Sequence, residues 1–451
     1  MKAVALKLLS VALYERPVTL RLPFRFGAAT VTRCPQAFVR VQVEIEGRRV
    51  DGASAELMVP KWFDKHPELT HEQNFEQLRQ SLRSARDAYT GAGPMASAHR
   101  LHQEAGSAAI ATSVAQGLPR LAAQFGPAQL DKAVADAVLK ARGLGWVRGL
   151  RAGLLGDPWS PSLPLVEAAS VTLRHTVGLA DRLQDRDDGH DPQDGLPATL
   201  EAAIRAYGLH HFKLKLSGQI EPDRERLARI AAVLDTHAGD YRVTLDGNET
   251  FTDTDALGQH WQALQSTPAL LGLLQRTLLL EQPLARKVAL EQPLHALKIP
   301  VPVILDESDD SDDALERGLA LGYRGISSKA CKGIYRSLHS AARIARTPGL
   351  LLSGEDLTCQ AGLAVQQDCL LASSLGVTHI ERNGHHYVDG FGIAPAEEAT
   401  AFARAHPHLY DDTAGRPHLA VRQGQIALQD LHAPGFGSSA APLWDRLTPI
   451  L

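Results

Sequence analysis

The run HFKLKL at His211–Leu216 gives way to a helical stretch, and a second short run, RVTL at Arg242–Leu245, then ends in Asp246-Gly247-Asn248. Outward from these two, similar runs lie at Val166 to Leu173, Thr277 to Leu280, Val301 to Leu305, Gly325 to Ser328, Gly349 to Ser353 and Val377 to Ile380. That makes eight, each closing on polar residues before a helical pattern. Strand-length runs alternating with helices predict parallel βα units, and a count of eight predicts closure into a (β/α)8 barrel of the TIM type, not an open doubly wound sheet. The barrel is expected over 161–394.

The flanks have another texture. In Phe38-Val39-Arg40-Val41-Gln42-Val43-Glu44-Ile45, apolar and polar residues alternate, as in half-buried antiparallel strands, here expected to be joined at Gly47 and Gly52. From about 70 to 155 the chain is rich in Ala, Leu, Arg and Gln at helical spacing, with breaks at Gly91-Ala92-Gly93-Pro94 and Gly126-Pro127. Residues 1–160 therefore read as an α+β unit. Residues 395–451 follow the barrel, and Leu419 to Leu431 reads as antiparallel strands around Gln423-Gly424 that return to that unit. The α+β domain would then be assembled from both ends of the chain.

Composition narrows the function. In 451 residues, 47 Lys+Arg stand against 51 Asp+Glu, a net charge of −4, so no broad field favours nucleic acid or an anionic membrane. Apolar residues at 44% and charged residues at 22% suit a globular protein with a sizeable core. Cys34, Cys331, Cys359 and Cys369 form no CxxC pair, which argues for a reducing compartment and against a zinc cluster. MKAVALKLLSVAL resembles a signal peptide, but Lys7 interrupts it and no small-residue cleavage site precedes Tyr14-Glu15-Arg16-Pro17, so a first strand is the better reading. Leu270 to Leu280 is broken by Gln275 and Arg276, short of the ~20 apolar residues that a span requires. A cytoplasmic protein is expected.

In a parallel barrel the functional groups sit at the C-terminal ends of the strands. Those ends carry Lys213-Leu214-Lys215, Asp246-Gly247-Asn248, Glu281-Gln282, Asp306-Glu307-Ser308, Lys329, Glu355-Asp356 and Glu381-Arg382-Asn383 for strands two to eight. From Lys215 through Asp246, Glu281, Asp306, Lys329, Glu355 and Glu381 the successive gaps are 31, 35, 25, 23, 26 and 26. Each gap is about one βα unit, so these residues converge on one mouth. Asp246, Glu281 and Asp306 offer three hard oxygen ligands from consecutive strands, a set suited to Mg²⁺. Lys213 and Lys215, two apart on a strand, share its inner face and should depress each other's pKa, so that one could act as a general base. Lys329 faces them from strand six. A strand-end carboxylate can also simply cap a helix, and a lone Lys-x-Lys is common on edge strands; the joint pattern is what points to chemistry. Glu-Gln-Pro-Leu recurs at Glu291, but Glu291 is too near Val301 for a crossover of ~10–12 residues, so Glu281 is the ligand candidate and Glu291 is placed on the helix. Lys332, three beyond Lys329, is assigned to the start of the loop.

The series KLK, DGNE, LLLEQPL, ILDES and SSKACKG resembles the enolase superfamily, and within it the muconate lactonizing enzyme subgroup of the mandelate racemase/muconate lactonizing enzyme family. Leu22-Pro23-Phe24-Arg25-Phe26 and Gly52 to Glu56 look like that family's two capping-domain loops, Ala133 to Leu139 and Leu154-Leu155-Gly156 like its run into the barrel, and Pro434-Gly435-Phe436-Gly437 like its C-terminal return. The resemblance implies a modified barrel with an α+β capping domain, Mg²⁺ (or Mn²⁺) on Asp246, Glu281 and Asp306, an acid/base pair in Lys215 and Lys329, and Lys213 holding the substrate carboxylate. It also implies abstraction of the proton α to a carboxylate through an enediolate, a Lys base with Mg²⁺ being a known pattern of this superfamily. Homo-oligomers are common in it, and the expected partner is a small-molecule carboxylate, with neither nucleic acid nor membrane. The mandelate racemase subgroup, with a histidine on strand seven and an aspartate on strand six, is disfavoured, because Glu355 and Lys329 stand there.

A racemase, epimerase or cycloisomerase is the leading expectation. A lyase like o-succinylbenzoate synthase, or an acid dehydratase, is the alternative, and a non-catalytic binding barrel a third. Asn248, Glu355, Glu381 and Arg382 are candidate substrate contacts, although Glu381-Arg382-Asn383 departs from the Asp-x-Asp of dipeptide epimerases. Lys332-Gly333-Ile334 also offers one glycine where the family has two. His385 and His386 read as exposed loop residues, Trp62 and Met58 as cavity lining or packing. The loop from Asp181 to Gly195 reads as a solvated connection, and the later carboxylates of Asp306 to Asp313 as helix N-terminal charges.

Overall fold

The computed structural model describes residues 3–27, 29–412 and 415–451; Met1 and Lys2 of the expected first strand lie outside them. Three long strands, β1 (Leu6–Phe26), β2 (Ala29–Ile45) and β3 (Arg48–Leu57), form an antiparallel sheet in the order β1-β2-β3. Its alternation follows the sequence: Val39, Val41 and Val43 are buried on one face. Glu46 and Gly47 both take positive φ, +51° and +75°, the geometry of a tight turn between β2 and β3.

Gly52 makes no such turn. It lies inside β3, opposite Val41, where the helix Phe125–Ala141 crosses so closely that a Cβ would stand 2.0 Å from the Ala133 carbonyl oxygen and 2.7 Å from the Ala137 nitrogen. Backbone cannot yield there, so Gly52→Ala is expected to destabilise the protein by about 1–3 kcal/mol or more, read as a lower urea midpoint. An unchanged midpoint would mean that sheet and helix separate freely.

The eight parallel strands are Ser170–Val177, His211–Lys215, Arg242–Asp246, Thr277–Glu281, Val303–Ile304, Gly325–Ser328, Leu351–Gly354 and His379–Arg382. Strand eight pairs with strand one, and a parallel bridge from Leu305 to Ile326 joins strand five to strand six, closing the ring. Strand one starts four residues later than the apolar run predicts. Val166 is 42% exposed, whereas Arg174 and Thr176 are buried in a polar barrel interior and His175, on the opposite face of the strand, against His385.

Other boundaries differ for equally local reasons. Glu291 lies in a turn beyond a four-residue helix, Arg286–Ala289, not on the helix itself. The predicted turn at Gln423-Gly424 is present, with positive φ at both residues, but the strand after it, Gln425–Ala427, runs antiparallel to barrel strand one instead of joining the α+β sheet. That sheet takes up Thr448–Pro449, on the edge of β1. The return at Pro434–Gly437 docks Phe436 on Trp146, ring centroids 4.2 Å apart. All four cysteines are buried and free. No helix among the described residues is long and apolar enough to cross a membrane.

Candidate active site

Strand pleat decides which residues meet. Lys213 and Lys215 both turn inward, as their spacing predicts. The Lys213 ammonium lies 2.9 Å from Asp246 Oδ2, 2.7 Å from Glu281 Oε2, 2.8 Å from Glu355 Oε2 and 3.0 Å from Glu381 Oε2. Burial alone disfavours this charge, but the four carboxylates outweigh it and hold the Lys213 pKa well above the ordinary lysine range. The mutual depression expected from the sequence is therefore not what governs Lys213. Lys215 donates to Asp246 Oδ2 at 2.6 Å, and Lys329 donates to Asp306 Oδ2 at 2.5 Å. Burial also works against the Lys329 ammonium, yet Asp306 raises its pKa.

Asp246, Glu281 and Asp306 stand at the mouth, fully buried. Their oxygens do not all come within 4.8 Å of one another; among the described residues the three-residue group that does is Asp356, Cys359 and Asp368. The divergence has an electrostatic cause. Each of the three expected ligands has turned to an ammonium group, Asp246 to Lys215, Glu281 to Lys213 and Asp306 to Lys329. Glu281 bears the strain: burial and the neighbouring Asp246 and Glu355 charges push its pKa well above the ordinary carboxylate range. Its Oε2 is ion-paired with Lys213 at 2.7 Å but accepts no well-aligned hydrogen bond, and Oε2 of Glu307 on the next strand has no hydrogen-bond partner. Hard, buried, mutually repelling oxygens with unused lone pairs fit a divalent cation. At Asp356, Cys359 and Asp368, by contrast, the Arg382 guanidinium already supplies the positive charge.

Arg382 therefore does not reach the mouth. Alternation on strand eight sends Glu381 inward and Arg382 outward, to Asp368 on the helix Leu363–Ser374. It is a bracket between buried carboxylates, and Arg382→Leu should cost about 3–5 kcal/mol by leaving Asp356 and Asp368 unpaired. A thermal midpoint equal to wild type would refute that. Glu381 lines the cavity but is committed: Oε1 accepts from Thr176 Oγ1 (2.7 Å) and Asn383 Nδ2 (3.1 Å), and Oε2 from Lys213 and the Asp356 amide. Glu355 is held by Arg174, Ser353 and Lys213 and does not line the cavity. Asn248 does line it, at a φ of +41°, with its Oδ1 unpartnered.

The capping domain closes the mouth with aromatic rings. Phe24, at the end of β1, lies 5.9 Å from Lys215 Nζ, and Trp62 lies 4.3 Å from Lys329 Nζ, each ring facing its ammonium. The second capping element is thus the segment after β3, carrying Val59 and Trp62, since Gly52 to Glu56 is strand; Met58 is core. Arg286 fixes this segment by donating to the carbonyls of Trp62 (2.9 Å) and Phe63 (3.0 Å), and Lys65 pairs with Glu249 at 2.6 Å. The space left between cap and barrel is about 20 Å³, room for one water.

Several functional neighbours escaped the sequence reading. Arg174 and Thr176, on the misplaced first strand, pair with Glu355 and Glu381. Lys332 does stand at the start of the loop, and from a 3-10 turn, Ala330–Lys332, it donates back to the Ser327 carbonyl at 2.8 Å and pairs with Asp309 at 2.9 Å, beside Asp306. Asp309 is thereby tied to Lys332 and Arg336, not to a helix end. His385 and His386 are buried, not exposed. His385 shares a 2.9 Å hydrogen bond with His175, and burial pushes both His385 and His386 well below the usual imidazole range. The Asp181 to Gly195 loop is pinned to β1 by the Arg21–Asp194 pair at 2.6 Å.

The description "Enolase C-terminal domain-like" belongs to the family model that matches residues 196–442, more than half of the chain. The chain belongs to this family. Its enolase-type barrel and cap superpose on those of muconate lactonizing enzyme from Mucobacterium smegmatis in complex with muconolactone, with a TM-score of 0.65, 15% identity and 97% of each chain covered. They also superpose on the dipeptide epimerase from Enterococcus faecalis V583 complexed with Mg and L-Leu-L-Tyr (TM-score 0.63, 15% identity, 96% of this chain and 99% of that one). The 2-chloromuconate cycloisomerase from Rhodococcus opacus 1CP gives 0.62 at 16% identity, covering 96% and 97%. At such identities the likeness is one of fold. No curated protein matches the sequence significantly.

Proposed function

We propose that this enolase-superfamily protein is an enzyme of the muconate lactonizing subgroup, a Mg²⁺-dependent isomerase that abstracts the proton α to the carboxylate of a small acid. The observation that carries the reading is the placement of Lys215 and Lys329, from strands two and six, on one cavity, each under an aromatic ring of the cap. Asp246, Glu281 and Asp306 would hold Mg²⁺ or Mn²⁺, which when bound supplies positive charge against the substrate carboxylate as the α-carbon becomes anionic.

The chain's own groups do the rest. Lys213, which does not line the cavity and already holds Asp246, Glu281, Glu355 and Glu381, positions these carboxylates instead of meeting the substrate carboxylate. Lys215 removes the α-proton from one face. Lys329, held as an ammonium by Asp306, returns one on the other. The rings of Phe24 and Trp62 exclude water, so a carbanionic centre is protonated by lysine and not by solvent. Asn248 Oδ1 is free to accept from a substrate donor. Because both Glu381 oxygens are committed, capture of a substrate amine by that residue is disfavoured. Residues 1–160 and 395–451 are proposed as the capping domain and 161–394 as the catalytic barrel.

The raised pKa of Lys329 also favours a second reading, a lyase in which Lys215 is the base and Lys329 stays charged to steady the intermediate. Incubation with a library of α-substituted carboxylic acids and Mg²⁺ in D2O separates the two. Deuterium gained at the α-carbon without loss of water supports the isomerase. A dehydrated product supports the lyase, and exchange with no acid at all would sink both.

A further inference from the structure

A second cavity, of about 640 Å³, opens on the outside of the molecule and shares no lining residue with the cavity of the barrel mouth, although Lys332 in its wall also lies 3.5 Å from Asp306. Its size falls within the ~300–1,000 Å³ of small-molecule sites. One wall is a file of rings. Trp159 stacks on His339 (centroids 5.1 Å, 28°), His99 meets Trp159 edge-on at 5.1 Å, and Tyr335 lies 5.0 Å from His99 and 4.7 Å from His102. These rings come from both domains: His99 and His102 from the capping helices, Tyr335 and His339 from the barrel helix Ile334–Ala345.

The backbone is shaped to present them. The helix Ala98–Leu101 runs into a π-turn, His102–Gly106, whose wider winding points His102 Nδ1 at Asp131 Oδ2, 2.7 Å away. Such turns inside helices gather at functional sites. Gly106 permits the turn to pack, since a Cβ there would lie 3.1 Å from the Tyr89 hydroxyl and 3.2 Å from His102 Nδ1.

The polar lining fits an anion carrying a hydrogen-bond donor. Of its lining cations, Lys332 and Arg336 are paired with Asp309, and Arg336 also with Asp312, which leaves Arg120 without a carboxylate partner. Arg120 spends Nε on the Asp310 carbonyl, at 2.7 Å. Arg336 Nε has no partner, and neither has Oε1 of Gln124, a residue only 3% exposed. Rings to stack on, a guanidinium that meets no carboxylate, an idle donor and an idle buried acceptor belong to residues that line one cavity.

We propose that this cavity is a binding site for a planar aromatic carboxylate bearing a hydroxyl or amino donor, a ligand separate from the substrate of the mouth. The ring lies along the His99–Trp159–Tyr335 wall, the carboxylate meets Arg120 and Arg336, and the donor meets Gln124 Oε1. The site does not depend on the reaction proposed for the barrel.

The probe is 4-hydroxybenzoate, titrated calorimetrically into the full-length protein. Binding is expected, at least tenfold weaker for cyclohexanecarboxylate, which cannot stack, and for 4-hydroxybenzamide, which has no charge. Arg120 and His339 are exposed, so Arg120→Gln and His339→Ala should fold normally, and each should weaken binding at least tenfold. Lys329→Ala should bind the probe as wild type does. Loss of binding in Lys329→Ala would place the ligand at the mouth and overturn the proposal. So would undetectable binding, or affinity unmoved by both Arg120→Gln and His339→Ala.

Discussion

Lys329→Ala is expected to lower α-proton turnover by about 10²–10⁴-fold while the protein stays folded. The side chain is 5% exposed, bonded to Asp306 and capped by Trp62, so it is shielded from bulk solvent. Asp306 keeps the Lys332 ammonium at 3.5 Å, which limits the structural damage of the deletion. The informative readout is stereochemical. With two bases on one cavity, Lys329→Ala should abolish exchange of one enantiomer of an α-substituted acid and spare the other, which Lys215 serves. Lys215→Ala should show the opposite preference. Equal loss for both enantiomers in both variants would remove the two-base isomerase and leave the lyase.

Glu281→Gln should produce two effects of opposite sign. Mg²⁺ at 100 times its Kd stabilises a native protein by about 2.7 kcal/mol, and removing one of three charged ligands should remove most of the rise in thermal midpoint. Without metal, the variant should be the more stable protein above acidic pH. Burial, Asp246 and Glu355 raise the Glu281 pKa in the folded state, so the fold binds this proton more tightly than the unfolded chain does. Below the unfolded value of ~4.3 both states are protonated and nothing is lost. As pH climbs past it, the unfolded carboxyl ionises freely and the folded one resists, so wild type loses stability relative to Glu281→Gln until the raised folded pKa is passed. Metal-free melts of both proteins from pH 4 to 8 test the sign. An identical Mg²⁺-induced shift in the two would show that Glu281 is no ligand.

The barrel was legible because parallel strands impose a constant spacing on the polar residues that end them, and Lys215, Asp246, Glu281, Asp306, Lys329 and Glu381 keep that spacing. Strand one was misplaced because Arg174, His175 and Thr176 look like surface residues in a one-dimensional pattern; their burial follows from partners remote in sequence, Glu355 for Arg174, His385 for His175 and Glu381 for Thr176. Arg382 shows a finer limit. One step along a strand reverses a side chain, so Glu381 and Arg382 look equivalent in sequence and face opposite sides of the wall. Lys332 and the histidine pair depend on how a turn folds back, which residue spacing does not encode. Gly52 carried a signal that was misread, since glycine within an alternating strand marks close backbone approach as readily as a turn.

The pairings that seal the sheets have a consequence for biosynthesis. Barrel strand one takes its antiparallel neighbour from Gln425–Ala427, and β1 takes its edge partner from Thr448–Pro449. Arg16, beside that edge, waits for Glu398, its partner at 2.7 Å. On a ribosome, β1 can therefore gain Pro94–Met95 early, at Leu6 and Lys7, but its edge at Tyr14 and Glu15 waits for residues far along the chain. Those unpaired backbone groups offer a template to any neighbouring nascent chain. Completion of both sheets thus depends on residues distant in sequence, and the yield of folded protein should respond to protection during synthesis as well as to the stability of the finished barrel.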